Sequence, residues 1–480
     1  MNFASIIYIL GKLIELEGVL FLAPAFVSLF YREKQGFVYF IIAVLCIIIG
    51  RIITIKKLEK KTYYAKEGFI SVAMGWIIMS VVGCLPFVIT GEIPYFTDAF
   101  FETVSGFTTT GSSILSDVES LSHCSLFWRS FTHWIGGMGV FVFMLAILPM
   151  TGAHNMHLMR SESPGPDVGK LVPKLGESAK ILYTLYFGIT VQQIFILIIT
   201  GMPVFDAVTL SFGTAGTGGF GIKNSSIADY TYLQQLIITI FMVLFGINFN
   251  FYFFLIIRKS IKSAFKMDEV RTYLGIVAIA TAAIMINAWK IFDSPADAFI
   301  KSFFQVGSII TTTGFSTADF NTWPSFSKTI LVLLMFVGAC AGSTGGGFKV
   351  SRILILIKSY FRELRHFIHP RLVKNIYIDK RRIKDETVNG VKVYLVSYVL
   401  ILITSVILIS LDGFDFETNF TAVMATLNNI GPGLSVVGPT GNYDSFSVFS
   451  KYVLSFDMLA GRLELYPLLI LFAPGTWRRR

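Results

Sequence analysis

Long apolar runs recur along the whole chain, and the polar residues between them come in short stretches. The clearest runs lie at residues 3–30, 36–55, 68–90, 125–150, 178–201, 231–257, 271–291, 326–360, 390–411 and 446–473. A helix needs about 20 apolar residues to cross a hydrocarbon core of roughly 30 Å, so the pattern predicts about ten membrane spans. Residues 1–30 contain Lys12, Glu15 and Glu17, lack a small-residue cleavage site and run too long for a signal-peptide core. They read as a retained helix.

Within this series one short pattern returns after four different spans. It reads AFFETVSGFTTTG to Gly111, AVTLSFGTAGTGG to Gly219, SFFQVGSIITTTG to Gly314 and NFTAVMATLNNIG to Gly431. Phe100, Phe303 and Phe420 hold the second place in three copies, Val208 holds it in the other, and Gly ends all four. Each copy has room for one helix too short to span, then a Thr, Gly or Asn stretch of poor helix propensity, which predicts a re-entrant segment. The expected fold is an all-α integral membrane protein, with four pseudo-symmetric units of span, pore helix, filter loop and span around one central pore. Residues 1–60 would add an N-terminal helix pair, and the units would cover 61–160, 161–266, 267–387 and 388–480. Gly136 and Gly137, Gly246, the run from Gly338 to Gly347, and Gly461 lie in the second spans and predict close helix approach around a shared axis.

Non-helical backbone is tolerated at membrane depth only when it is buried in protein or lines a water-filled cavity, because unpaired peptide groups cost several kcal/mol in lipid. Four such segments imply a pore. A closing glycine admits dihedrals barred to other residues, so consecutive carbonyls can turn toward the axis. Rings of carbonyl oxygens replace the hydration shell of an alkali cation. Each short helix would add the negative end of its dipole, equivalent to roughly half a charge.

Composition agrees with a lipid solvent, at 54% hydrophobic, 15% charged and a mean hydropathy of +0.67. The net charge of +10 raises the question of a nucleic-acid partner, but the basic residues sit in loops rather than along one face, and membrane topology accounts for them. Lys56, Lys57, Lys60 and Lys61, then Arg258, Lys259, Lys262 and Lys266, then Arg478, Arg479 and Arg480 would be cytoplasmic. So would the longest basic segment, from Arg352 through Lys358, Arg362, Arg365, Arg371, Lys374, Lys380, Arg381 and Arg382 to Lys384, with both termini inside. Cys46, Cys84, Cys124 and Cys340 lie in or beside apolar runs and read as packing residues. No HExxH, GxSxG or Walker-type motif occurs, so an enzyme is not expected. His123, His133, His154, His157, His366 and His369 form no ligand set and read as interfacial or loop residues.

The stretches SGFTTTGSSIL, HWIGGMGV, SFGTAGTGGFG, TTTGFST, GACAGSTGGGFKV, NNIGPG and MLAGRLELYPLL together resemble the Trk/Ktr/HKT superfamily of potassium transporters, and within it the bacterial TrkH type. The resemblance covers nearly the full chain, and residues 1–60 resemble the TrkH type's extra N-terminal pair. It implies a potassium filter lined by Thr108, Thr109, Thr110 and Gly111, by Gly216, Thr217, Gly218 and Gly219, by Thr311, Thr312, Thr313 and Gly314, and by Asn428, Asn429, Ile430 and Gly431. In this superfamily a Ser at the first filter glycine accompanies sodium preference, and all four are Gly here. The second and fourth copies depart from TTTG, which implies a filter without fourfold symmetry and looser ion coordination.

Glycine disfavours a helix by about 1 kcal/mol per residue, so GACAGSTGGG should interrupt the third unit's second span. The resemblance makes this stretch a pore-obstructing loop, with Gly338, Gly342, Ser343, Thr344, Gly345, Gly346 and Gly347 in it and Lys349 just beyond. Arg462 lies in the last apolar run, where a charge needs a partner or water. Glu464 and Asp457 are near, neither at i,i+4 spacing, and the resemblance points Arg462 into the pore beside the loop. A homodimer and a cytoplasmic ring of TrkA-like nucleotide-binding regulatory subunits are the implied partners, besides the bilayer. The transported potassium ion is the only implied ligand, and no organic cofactor or nucleic acid is expected. The location implied is a prokaryotic inner or plasma membrane. The alternative is an ion-coupled secondary transporter, a K+/H+ or Na+ symporter, although inverted-repeat transporters are built from two related halves rather than four units.

Overall fold

The structure, a computed structural model, describes residues 3–55, 65–139, 175–369 and 375–477. Lys56, Lys57, Lys60 and Lys61, the end of the fourth apolar run, His154, His157, Arg371, Lys374 and Arg478 to Arg480 lie outside the described residues. So do the expected unit boundaries at 60 and 160.

Four times the chain builds an outer helix, a short pore helix, a loop and an inner helix. The outer helices are Ala65–Thr90, Leu175–Ile199, Asp268–Asn287 and Asp385–Ile409. The pore helices are Phe96–Phe107, Val204–Gly216, Pro295–Ile310 and Phe416–Leu427, and the inner helices are His123–Gly137, Tyr232–Phe245, Ser325–Val337 and Val448–Arg462. Each pore helix has a carboxylate in its first turn, Asp98, Asp206, Asp297 or Glu417, where the positive end of the helix dipole favours it. Large apolar side chains such as Phe30, Ile199, Ile279 and Leu411 face outward, as they do in a protein solvated by lipid.

Among the described residues six helices are long and apolar enough to cross a membrane, or seven if one bent pair is a single span. The expected number was about ten. The shortfall comes from the inner helices, which are cut into pieces of 13 to 15 residues, only about 20 Å long. The expected interruption of the third is present, because Ser325–Val337 ends at Gly338 and helix resumes at Val350. The second and fourth are also broken, which corrects two runs read as continuous. Tyr232–Phe245 turns by 94° into the next segment, where the Asn248 side chain caps the Asn250 amide at 2.9 Å. Val448–Arg462 stops at a left-handed pair, Glu464 and Leu465, and restarts at Tyr466 with Pro467 in its first turn.

The N-terminal pair packs by backbone approach, since a side-chain carbon on Gly50 would lie 2.7 Å from the Gly11 carbonyl oxygen. Between these helices Glu33 caps the first inner helix, accepting from the amides of His123 at 2.8 Å and Cys124 at 3.0 Å. Burial opposes the charge on Glu33, and the hydrogen bonds from Cys124 and His123 outweigh it, so the carboxyl is held below its ordinary range. All four cysteines are free and buried.

Candidate ion pathway

Every pore helix ends in the same way. The amides of Thr110, Gly218, Thr313 and Ile430 bond back five residues, to the carbonyls of Ser105, Gly213, Ser308 and Ala425 at 2.8 to 2.9 Å. The residue before each of them, Thr109, Thr217, Thr312 or Asn429, bonds back three residues and has φ between 54° and 59°. This paired bonding around one left-handed residue is a Schellman ending, in which Gly and Asn are the usual occupants. Threonine is unusual there, because a β-branched side chain crowds a left-handed backbone. Two residues on, Gly111, Gly219, Gly314 and Gly431 have φ of 81°, 77°, 85° and 99°. Left-handed dihedrals therefore occur at two positions, two residues apart, in each of the four loops.

The four loops close on one another. A side-chain carbon on Gly111 would come within 3.0 Å of the Gly218 carbonyl oxygen, one on Gly219 within 3.0 Å of Thr313 O, and one on Gly314 within 3.0 Å of Ile430 O. On Gly431 it would lie 2.8 Å from Thr110 O. Each glycine thus seats the carbonyl before the next copy's glycine, in the order one, two, three, four and back to one. Only glycine permits both that φ and that approach. The result is a ring of carbonyl oxygens at the C-terminal, partially negative ends of four convergent helices.

Inner-helix glycines let the ring's supports close in. A side-chain carbon on Gly136 would come within 3.0 Å of Phe107 O, and one on Gly461 within 3.0 Å of Leu427 O, both at pore-helix ends. Two further supports were not expected from the sequence. Arg129 and Glu102 form a buried ion pair at 2.6 Å, in which Glu102 also accepts from Ser113 and from the Ile114 amide, and Arg129 donates to Gly221 O at 3.2 Å. One pair therefore braces the loops of copies one and two. An ionisable residue inside an apolar run was the available signal. His133, read as interfacial, is instead fully buried: Nδ1 bonds Gly106 O at 2.8 Å and Nε2 accepts from the Phe220 amide at 3.3 Å. Its ring occupies the space beside Gly218 that a side chain would fill.

The glycine-rich loop, 338–347, lies directly against the ring. The Gly346 amide donates to Thr312 Oγ1 at 2.6 Å and the Gly347 amide to Asn428 O at 3.0 Å. Gly342 O accepts from the Phe249 amide at 2.9 Å, Ser343 Oγ donates to Cys340 O at 2.6 Å, and Lys349 Nζ, buried, donates to Gly345 O. Gly338 and Lys349, which flank the loop, have φ of 68° and 82°. Arg462 reaches the loop, donating to Thr344 O at 2.9 Å and to Gly137 O at 2.6 Å. The two nearby carboxylates serve other groups. Glu464 pairs with Arg352, and Asp457 accepts from Ser405 at 2.7 Å. Arg352, expected to begin the cytoplasmic basic segment, is therefore buried, with its guanidinium 4.0 Å from the Tyr394 ring centre. Glu269 is a further loop contact that sequence reasoning missed: it accepts from the amides of Ala341 at 2.6 Å and Ser351 at 3.1 Å.

Re-entrant helices converging on a carbonyl ring within a helical membrane fold define a protein that transports cations. The chain belongs to the TrkH family, described as cation transport proteins, whose profile matches residues 35–478. This is a family of transporters rather than enzymes. The Trk system potassium uptake protein TrkH of Salmonella typhimurium is 38% identical, and that of Escherichia coli K12 37%, each over the full length of both chains. The crystal structure of the potassium transporter TrkH from Vibrio parahaemolyticus is similar over 100% of both chains, with a TM-score of 0.88 and 34% identity.

Proposed function

We propose that this chain takes up potassium ions across a cell membrane through the ring at Gly111, Gly219, Gly314 and Gly431. The observation that carries this reading is the ring itself, in which every glycine seats its neighbour's carbonyl. Such oxygens replace water around an alkali cation, and four glycines, with no serine among them, carry the potassium preference that the resemblance to the superfamily implies. Its relatives' names, potassium uptake proteins, agree.

In this reading the loop from Gly338 to Gly347 is a gate below the filter, with Lys349 and Arg462 as fixed positive charges that restrain cations. Their contacts with Gly345 O and Thr344 O support it. The four units are 61–160, 161–266, 267–387 and 388–480, after the pair in 1–60. The Trk likeness adds a homodimer in a prokaryotic inner or plasma membrane, and a cytoplasmic nucleotide-binding ring seated on the basic segment, with both termini inside.

Flux of potassium, rubidium and sodium into liposomes holding the purified protein tests the reading, with and without an imposed pH gradient. Potassium and rubidium should enter ahead of sodium, driven by membrane potential at about 2.3 kcal/mol per charge per 100 mV. Equal sodium flux would overturn it, and an absolute need for the pH gradient would favour symport.

A further inference from the structure

The ring's four junctions are chemically unequal. Two receiving copies offer a hydroxyl in the third place, Thr110 and Thr313, whereas the other two offer Gly218 and Ile430. At the junction of copy four with copy one, Asn429 Nδ2 lies 2.9 Å from Thr110 Oγ1 and 2.9 Å from Met458 O. A main-chain carbonyl only accepts, so this atom is the amide nitrogen, and its two protons serve the neighbouring loop and the fourth inner helix.

The direction of the chain of bonds follows. Thr108 Oγ1 gives its one proton to Val104 O at 2.6 Å, so Thr110 must donate in the 2.8 Å bond between the two hydroxyls. Thr110 is then free to accept from Asn429. A directed relay runs from the fourth loop through Thr110 and Thr108 into the first pore helix. The third copy repeats its inner part, since Thr311 donates to Gly307 O at 2.6 Å and Thr313 lies 2.7 Å from Thr311. The residue equivalent to Asn429 at that junction is Thr217, whose shorter side chain donates to Gly216 O instead. Among the described residues, no side chain of the second copy donates to Thr313.

We infer that Asn429 is a specificity-determining positioning residue, which staples the fourth filter loop to the first and fixes the width of the ring at the one seam where consecutive units are not joined by the chain. The inference rests on the filter reading above. Thr110 carries both ends of the effect: its hydroxyl receives the staple and its carbonyl is seated against Gly431. Without the staple the seam can close around a smaller cation, and sodium gains relative to potassium. Asparagine suits the position twice, by its reach and by its tolerance of φ 56°.

The test uses the full-length protein in planar bilayers, with the potassium-to-sodium permeability ratio taken from reversal potentials. Asn429→Thr, which installs the residue of the other three copies, should lower the ratio about fivefold, the factor that corresponds to one net hydrogen bond of about 1 kcal/mol. Thr110→Val should do the same, and the double variant should be no worse than either single one. Thr313→Val removes the same bond within its own loop, and Thr110→Val should cost about fivefold more selectivity than it does. Equal losses at Thr110 and Thr313 would overturn the staple, because the effect would then lie within each loop. An unchanged ratio in Asn429→Thr would also overturn it, and this variant decides the matter if Thr110→Val fails to fold. Gly111→Ser, run alongside, separates the two readings: if it alone shifts the ratio the filter stands without the staple, and if nothing shifts the ratio the filter reading falls as well.

Discussion

At the scale of single residues, the ring turns on four glycines whose missing side chains are replaced by a neighbour's carbonyl. Gly111→Ser adds a carbon against Gly218 O at a φ of 81°, a conformation that costs other residues roughly 1–2 kcal/mol, so about a tenfold fall in potassium-to-sodium discrimination is expected in bilayer recordings. An unaltered ratio would remove Gly111 from the filter. These glycines were legible because they end four copies of one pattern. The left-handed Thr109, Thr217 and Thr312 were not, since threonine favours extended backbone and only the Schellman bonds hold it there. Arg129, Glu102 and His133 were hidden for another reason: their partners lie in other elements, and nothing local announces the pairing. Glu33 yields a prediction outside the pore. Its carboxyl is held below the ordinary range in the folded protein, so the cap contributes fully above the unfolded value and is lost as pH falls through the folded one. Thermal midpoints should therefore fall on acidification, and Glu33→Gln should flatten that slope. Parallel curves for the two proteins would show that the cap contributes nothing.

At the scale of elements, the inner helices are the departure from expectation. A glycine run announced the break after Val337, but Gly246 is a single glycine and the break at Leu463 to Leu465 has no glycine at all. There Pro467 and the partly buried Arg352–Glu464 pair take over what sequence would ordinarily mark. The loop from Gly338 to Gly347 is held from several sides, by Thr312 and Asn428 above, by Arg462, and by Glu269, whose carboxylate spans Ala341 and Ser351. If this loop is the gate, Arg462→Ala and Glu269→Gln should each raise potassium flux without any regulatory partner, and together act non-additively because they share one mobile element. Single-channel recording on matched amounts of monodisperse protein measures this. Variants that fold yet conduct no more than the parent would end the gate reading and leave the ring untouched.

At the scale of the whole molecule, the pattern of apolar runs and the fourfold repeat were enough for the architecture, because lipid forces every backbone group to be satisfied within helices or buried loops. The hairpin Tyr377–Arg382 was not foreseen within the basic segment; its turn puts Asp379 and Lys380 at positive φ, and the Asp268 amide donates to the Asp379 carboxylate at 2.6 Å while the Asp379 amide donates to the Asp268 carboxylate at 3.2 Å. Charge placement predicts that this hairpin faces the cytoplasm. A cysteine at position 380 should therefore resist an impermeant thiol reagent applied to intact cells and react in inverted vesicles. Labelling from outside would reverse the topology.

The bond between Asn429 and Thr110 joins residues 319 apart, so the closing contact of the ring must wait until the fourth filter loop has been made. A ribosome that has made three units has made three sides of an enclosure, with the fourth side open to whatever lies beside it in the bilayer. A closed ring can therefore exist only after the fourth pore helix and its loop have been translated and inserted, and three units alone leave the seam open.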